Sequence, residues 1–389
     1  MKFSCKTSEL LNALQLVSRA IGTQQALPIL GNILLEAEGK RCRVSATDLE
    51  LSIVTHLDAA IENEGAITIP AKAILNFAQY NNDHDVLLET VEGTQLKCTS
   101  SHTKTMIAGE AATEYPNIPP VEKNTSLTLD ARDLLQGLHL VTFTCARTSL
   151  RPVLSGVYLR TELGTLILVG TDSYRLSEYK IPLKDVNEEI SCIVPVKVLD
   201  ELKVMLAARR PTKDEGKEKD KEKEKETEDV KGKITLILSA QQIEVQTGQT
   251  RLISRLIEGK FPDYQQIIPK DAGTVSTLPT GELTTTVRRM HYFAKEVNNN
   301  LTFHFAGGNV HIATPTTQAG RDEADLPTKI EGGENKIALS SSYLLDFLTH
   351  LPSGEIEVCL VDSMHPALFR LPNDEQFLHL VMPLRMPTE

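Results

Sequence analysis

The chain repeats itself, and that repeat constrains the fold more than any single motif. "LPILGNILLEAEGKRCRVSATDLEL" (27–51) aligns with "RPVLSGVYLRTELGTLILVGTDSYRL" (151–176). Pro28 falls on Pro152, Leu30 on Leu154, Thr47 on Thr171 and Asp48 on Asp172, each 124 residues on. "ITIPAKAIL" (67–75) then matches "CIVPVKVLD" (192–200), with Pro70 on Pro195 at a spacing of 125. "EYPNIPP" (114–120) resembles "KFPDYQQIIP" (260–269), with Pro116 on Pro262 at a spacing of 146. Self-similarity over such distances marks one structural unit used repeatedly. A fainter third copy runs through "NKIALSSSYLLDFLTHL" (335–351), which follows the pattern of "ISCIVPVKVLDELKVML" (190–206). It carries "HIATPTTQAGRDEADL" (311–326) where the others have Thr-Asp. Three domains are expected, at 1–121, 122–272 and 273–389, as a chain of 389 residues allows.

The change of spacing from 125 to 146 calls for about 21 extra residues in the second copy. They are found in "RRPTKDEGKEKDKEKEKETEDVKGK" (209–233), with ten basic and nine acidic residues and no apolar face. Such a segment cannot bury enough surface to offset its ordering, so it is read as an exposed charged insertion.

Each copy is itself doubled. "ILLEAEGKRCRVS" (33–45) and "VLLETVEGTQLKCTS" (86–100) both alternate around a glycine-containing turn, as hairpins do. A helical stretch precedes each: "SELLNALQLVSRA" (8–20), with Leu10, Leu14 and Val17 on one face and Ser8 as N-cap, and "AKAILNFAQYN" (71–81). The half-unit is therefore strand, helix, three strands, used about six times. The fold class is α+β, with antiparallel sheet on one face and two helices per domain on the other.

Function classes narrow by exclusion. A net charge of −11 argues against coating DNA by bulk electrostatics, though not against a local basic surface. No apolar run reaches membrane-spanning length, and "MKFSCKTSELL" lacks the apolar core of a signal peptide, so a cytoplasmic protein is expected. The six scattered cysteines form no CxxC and no zinc spacing; they read as small buried hydrophobes. No phosphate loop, GxSxG or HExxH occurs, and no cofactor or metal is expected. "AGGNVHIA" (306–313) reads as a hairpin turn, and His102, His304 and His379 as strand or surface residues.

Asp48 and Asp172 are the remaining catalytic candidates. Carboxylate pairs work at about 5–10 Å, whereas equivalent points on successive domains lie farther apart. Short polar residues at turns commonly bond nearby amides. A structural role is favoured, with a hydrolase as the rival.

Three tandem copies, the opening "MKF", then "LPILGN" (27–32), "TDSYRL" (171–176), "FPDY" (261–264) and "VMPLR" (381–385) resemble the bacterial DNA sliding clamps, the β subunits of replicative DNA polymerase III. The resemblance covers the chain outside 209–233. It implies a head-to-tail homodimer closed into a ring, with helices lining the hole and sheets outside. Such a ring would hold duplex DNA by topology and tether the replicative polymerase, a clamp loader, and repair and other clamp-binding proteins. No catalytic activity is implied. A rival within the same ancestry is a scaffold that no longer encircles DNA.

By the same resemblance, a partner-peptide groove has one wall of Leu154, Thr171, Ser173, Leu176, Pro262 and Ile267. The other is formed by Tyr343, Met364, Pro366, Leu380, Met382, Pro383 and Leu384, with Arg151, Arg175 and Arg385 at the rim. The inner lining, only mildly basic, would comprise Lys72, Lys197, Lys203, Arg288, Arg289 and Lys295, with Arg209 and Arg210 beside the insertion. Gln24 stands where arginine would be favoured. The dimer contact would pair Ile107 with Phe293, either of which could instead be a core residue. Four residues, "MPTE" (386–389), extend past the usual end of the family's terminal motif.

Overall fold

Six times along the chain the same elements recur: one strand, one helix, then three strands. The computed structural model describes residues 1–22, 27–92, 94–148, 150–183, 189–208 and 232–386. The charged insertion, apart from its last two residues, lies outside them, as do Gln24, Arg209, Arg210 and residues 387–389. Among the described residues are α1 (Thr7–Val17), α2 (Ala71–Gln79), α3 (Ala131–Val141), α4 (Val196–Ala208), α5 (Thr280–Ala294) and α6 (Ser341–Leu348), each preceded by a strand and followed by three, with a further short strand, Ala60–Asn63 or Ile330–Gly332, after the three that follow α1 and α5.

The two halves of a copy exchange their first strands. Lys2–Lys6 pairs with Asp85–Val91 of the second half, and Gly65–Pro70 pairs with Asn32–Glu38 of the first. The second copy repeats this with Thr125–Asp130 on Lys233–Leu238 and Ser191–Pro195 on Gly156–Glu162. The third does so with Thr274–Pro279 on Glu355–Leu360 and Asn335–Ser340 on Asn300–Ala306. All of these ladders are antiparallel, which lets short turns join the three consecutive strands.

Packing gives two compact units. One unit, Met1–Arg132 with Glu201–Leu256, holds a five-stranded and an eight-stranded sheet. The larger sheet is continuous because Leu51–Asp58 pairs with Thr250–Arg255. The other unit, Asp133–Asp200 with Ile257–Glu389, holds nine- and four-stranded sheets, the larger joined where Arg175–Pro182 pairs with Phe377–Val381.

The helices bury one stripe each. In α1 Leu10, Leu14 and Val17 are buried as their spacing predicts. The helix begins one residue early, however, and Lys6 is the N-cap without a side-chain bond, so Ser8 does not cap it. The exchanged strand runs straight into the helix, leaving no loop residue free to turn back. In α3, a Cβ on Gly137 would lie 2.8 Å from Tyr179 Cδ1, so a larger residue would push helix and sheet apart. The six cysteines are free thiols, all buried except the half-buried Cys192; burial pushes that of Cys145 up to about 12.

Candidate functional site

The two Thr-Asp pairs form the same turn. In the first copy, Asp48 Oδ1 accepts the amides of Glu50 (3.1 Å) and Leu51 (2.7 Å), while Thr47 Oγ1 accepts from Leu49 N and donates to Leu51 O, each at 3.0 Å. In the second, Asp172 Oδ1 accepts from Tyr174 N (2.9 Å) and Arg175 N (3.0 Å). Thr171 Oγ1 accepts from Ser173 N (3.1 Å) and donates to Arg175 O (2.7 Å). Leu49 and Ser173 take the same left-handed backbone, at φ +76° and +79°. In both turns Oδ1 accepts two backbone amides of the turn itself. These aspartates are turn-formers.

Beside the second turn lies a cleft of about 150 Å³. Its floor is the sheet face where Leu176 and Leu380 stand opposite each other on adjacent strands, both buried. Leu154, from a short 3-10 turn, and Thr171 close one end, and Pro262 and Ile267 form the overhanging wall. Met382 completes it from the C-terminal segment. Arg151, Ser173 and Arg175 also border the cleft, so ten of the residues expected from the sequence come together here.

The C-terminal segment is held at three points. Met382 N donates to Tyr174 O (2.8 Å), Leu384 N to Ala338 O (2.7 Å), and Asn300 Nδ2 to Arg385 O (3.0 Å). Pro383 and Leu384 are half-buried along this path, and the Arg385 residue is exposed. Tyr343 lies nearby, its ring 6.2 Å from that of Tyr174. Met364 does not line the cleft. Asp362 Oδ1 accepts from Met364 N and His365 N in a tight turn that leaves Met364 79% exposed, while Pro366 is buried behind it.

Arg175 borders the cleft with its guanidinium already paired inside the protein, the side chain 10% exposed. Nε donates to Asp172 Oδ2 (3.0 Å), Nη1 to Asp346 Oδ2 (2.6 Å) and Nη2 to Phe143 O (2.9 Å), and the group lies over the Tyr343 ring at 4.9 Å. It ties the turn to α6 and to the segment after α3. The sequence could not show this, because Asp346 is 171 residues away.

Two lining residues were missed, Asp263 and Tyr264. The signal was present in "RLSEYKI": strand alternation puts Glu178 on the same face as Leu176, a carboxylate amid apolar side chains that needs a partner. Tyr264 is that partner, donating its hydroxyl to Glu178 Oε2 at 2.5 Å.

Over their whole lengths the six helices are balanced in charge. Lys72, Arg132, Lys197, Lys203, Arg288 and Arg289 are balanced by Glu9, Asp133, Asp200, Glu201, Glu282 and Asp346, so the acidity of the chain lies elsewhere. Lys72, Lys197, Arg288, Arg289 and Lys295 are exposed and Lys203 is half-buried. Arg289 is engaged within its own unit, Nε and Nη2 donating to Asp322 at 2.7 and 3.2 Å.

Ile107, expected at the dimer contact, is 6% exposed and already packed in its own sheet; its neighbour Met106 is exposed instead. Alternation along Lys104–Ala108 turns one of these side chains inward and the other out. Phe293 is half-buried, edge-on to the exposed Tyr292.

Comparison with known proteins places these features. Residues 1–119, 128–212 and 265–385 match in order the N-terminal, central and C-terminal domains of the DNA polymerase III beta subunit. The beta sliding clamp of Synechocystis sp. (strain ATCC 27184 / PCC 6803 / Kazusa) is 29% identical over 99% of this chain and 100% of that protein. That of Staphylococcus aureus (strain Mu50 / ATCC 700699) is 26% identical over 99% of each. The crystal structure of the DNA polymerase sliding clamp from Bacillus subtilis shares the fold with a TM-score of 0.89, at 25% identity over 100% of both chains. With its domains matched in order and its relatives covered end to end, the chain belongs to the DNA polymerase III beta subunit family, the bacterial beta sliding clamps.

Proposed function

We infer that this chain is a DNA polymerase processivity factor, a clamp that closes around duplex DNA as a head-to-tail dimer and tethers the replicative polymerase through its groove. The observation that carries the reading is a rule of strand pairing. Twice, the last strand of one copy's first half pairs with the last strand of the next copy's second half: Leu51–Asp58 with Thr250–Arg255, and Arg175–Pro182 with Phe377–Val381. Applied a third time, the rule needs Glu323–Pro327 and Lys104–Ala108. Each is the outermost strand of its sheet, with one edge unpaired. Unpaired edges invite another strand, and two copies of the chain satisfy both pairs at once. Two chains then give six copies of the domain, 1–121, 122–272 and 273–389 in each.

A ring needs no tight grip on DNA. Exposed Lys72, Lys197 and Arg288 on helices that are neutral in total suit weak phosphate contacts without base readout, which permits sliding. The groove suits an extended peptide with Leu and Phe anchors. Burying roughly 400 Å² of apolar surface gives about 10 kcal/mol gross, and immobilisation reduces this to micromolar affinity. Polymerase, loader and repair proteins can then exchange on one ring. The chain turns over no substrate; ATP hydrolysis for opening comes from a separate loader. Among the described residues no helix is long and apolar enough to cross a membrane, and we place the protein in the cytoplasm with its DNA.

The test is retention on circular nicked DNA after incubation with a loader and ATP. Retention on the circle and release on linearisation are expected. Equal binding to both forms, or a monomer in sedimentation at micromolar concentration, overturns the ring.

A further inference from the structure

The cleft's overhanging wall belongs to a loop, Ile257 to Asp271, that lies on the sheet instead of joining it. Ile257 N donates to Ile193 O at 2.8 Å at its start, and Tyr264 anchors its middle. Tyr264 is 5% exposed and packs with Phe261 against Ile167, Val169 and Leu176. Its hydroxyl donates to Glu178 Oε2 at 2.5 Å and accepts from Arg160 Nε at 3.2 Å, and the Arg160 guanidinium lies 5.8 Å over the ring. Glu178 is 4% exposed, and Lys180 Nζ reaches its other oxygen at 3.5 Å. Arg160 is held in turn by Glu162 at 2.5 Å.

A carboxylate in an apolar sheet face costs several kcal/mol unless bonded, so the net is rigid: each group needs the others. Burial and the adjoining carboxylate push the Tyr264 phenol well above its ordinary range, which keeps it a donor. Tyr264 also starts the 3-10 turn Gln265–Ile267, and Ile267 N donates to Tyr264 O at 3.1 Å. The height of Tyr264 above the sheet therefore sets where Pro262 and Ile267 stand, two and three residues away.

We infer that Glu178 and Arg160 are positioning residues of the peptide groove, which fix through the Tyr264 hydroxyl how far the Pro262–Ile267 wall stands from Leu176, Leu380 and Met382. Neither reaches the peptide. They decide how deep an anchor side chain can enter, and so how well a branched aliphatic is held. This inference rests on the groove's being the peptide site.

The experiment is a fluorescence-anisotropy titration of the full-length chain with a labelled extended peptide bearing Gln and a terminal Leu-Phe pair. Melting temperatures are measured alongside. Y264F, which keeps the ring and loses the hydroxyl, is expected to weaken binding about tenfold at temperatures where it is folded. E178L should do the same, whereas E178Q, still an acceptor, should bind within about threefold of wild type. Because the hydroxyl acts through Ile267, Y264F and I267A should be non-additive in a double-mutant cycle.

If Y264F melts lower but binds within about twofold of wild type, the net serves folding only and the inference is overturned. Additive losses with I267A overturn it equally. Should E178L fail to fold, Y264F and E178Q decide. A wild type that binds no peptide, with M382A indistinguishable from it, overturns the groove reading itself, so the two failures are separable.

Discussion

The Thr47–Leu51 turn and the Thr171–Arg175 turn are the same object in two settings. Both place an aspartate oxygen on two successive amides, a threonine hydroxyl across the turn, and a left-handed residue between. Their closing residues differ. The first ends on Leu51, 1% exposed in a core; the second ends on Arg175, whose guanidinium holds Asp172, Asp346 and Phe143 O together. Behind the turns the contrast recurs. Ile53 faces Leu252 in the first junction, whereas at the corresponding place Ser177 faces His379 in the second. Even the linker changes: the Tyr115 hydroxyl donates to Asn32 O and accepts from Thr47 N, and Phe261 in its place has no hydroxyl. A repeated turn supplies geometry, and polar substitutions around one copy turn that geometry into a site.

Breaking the difference at Arg175 should have the largest effect. R175A leaves Asp172, whose side chain is 16% exposed, without its cation, and frees α6 from the turn. The loss should be about 3 kcal/mol, mostly from the Asp172 contact, since Asp346 is 42% exposed and its share is screened. Urea unfolding reads the stability, and peptide anisotropy should show about tenfold weaker binding from the displaced Tyr343. A loss under about 1 kcal/mol would mean that the inward arginine is ornamental to the fold.

His379 sharpens the comparison through pH. It is completely buried, its Nδ1 2.8 Å from Ser177 Oγ, its ring stacked on Phe347 at 4.0 Å, and its Nε2 without a partner among the described residues. Burial first, then the charges of Arg175 and His350, hold it well below the ordinary imidazole value of 6.5. The unfolded chain therefore takes up the proton first. Stability is fully present above pH 6.5 and falls as pH drops through that value toward the folded one, at up to about 1.4 kcal/mol per pH unit. H379L with S177V, copying the apolar pair of the first junction, should abolish this slope between pH 6.5 and 5 in urea titrations. A slope that survives belongs to other groups.

How much of this could be read beforehand depends on sequence distance. The repeat located the turn at Thr171, whereas Leu154, Thr171, Leu176 and Pro262 were named together only through the family resemblance, and all four line the cleft. The exchanged first strands were not legible, since periodicity identifies a strand and not its neighbour. The internal pairing of Arg175 was hidden for the same reason: its partner Asp346 lies on a helix that alignment of the copies does not bring near. Tyr264 was within reach through the buried Glu178, but only if alternation is traced residue by residue. Ile107 shows the opposite limit, for an apolar residue on an edge strand faces either core or partner, and one step of register decides.

The smallest effect is the cleanest test of whether the two turns are equivalent. Asparagine keeps the Oδ1 acceptor and removes only the charge, so each turn should survive the exchange. D48N should then cost less than about 0.5 kcal/mol, because the exchange keeps the Oδ1 that accepts the amides of Glu50 and Leu51. D172N should cost about 1 kcal/mol, because Arg175 Nε loses a charged acceptor in a nearly buried place. The difference between the two values isolates what the arginine adds to an otherwise identical scaffold. Equal losses, measured in parallel urea titrations, would mean that Asp172 contributes only its turn and that Asp346 and Phe143 O orient Arg175 without it. The polar character of the second copy would then reside in α6 and not in the turn.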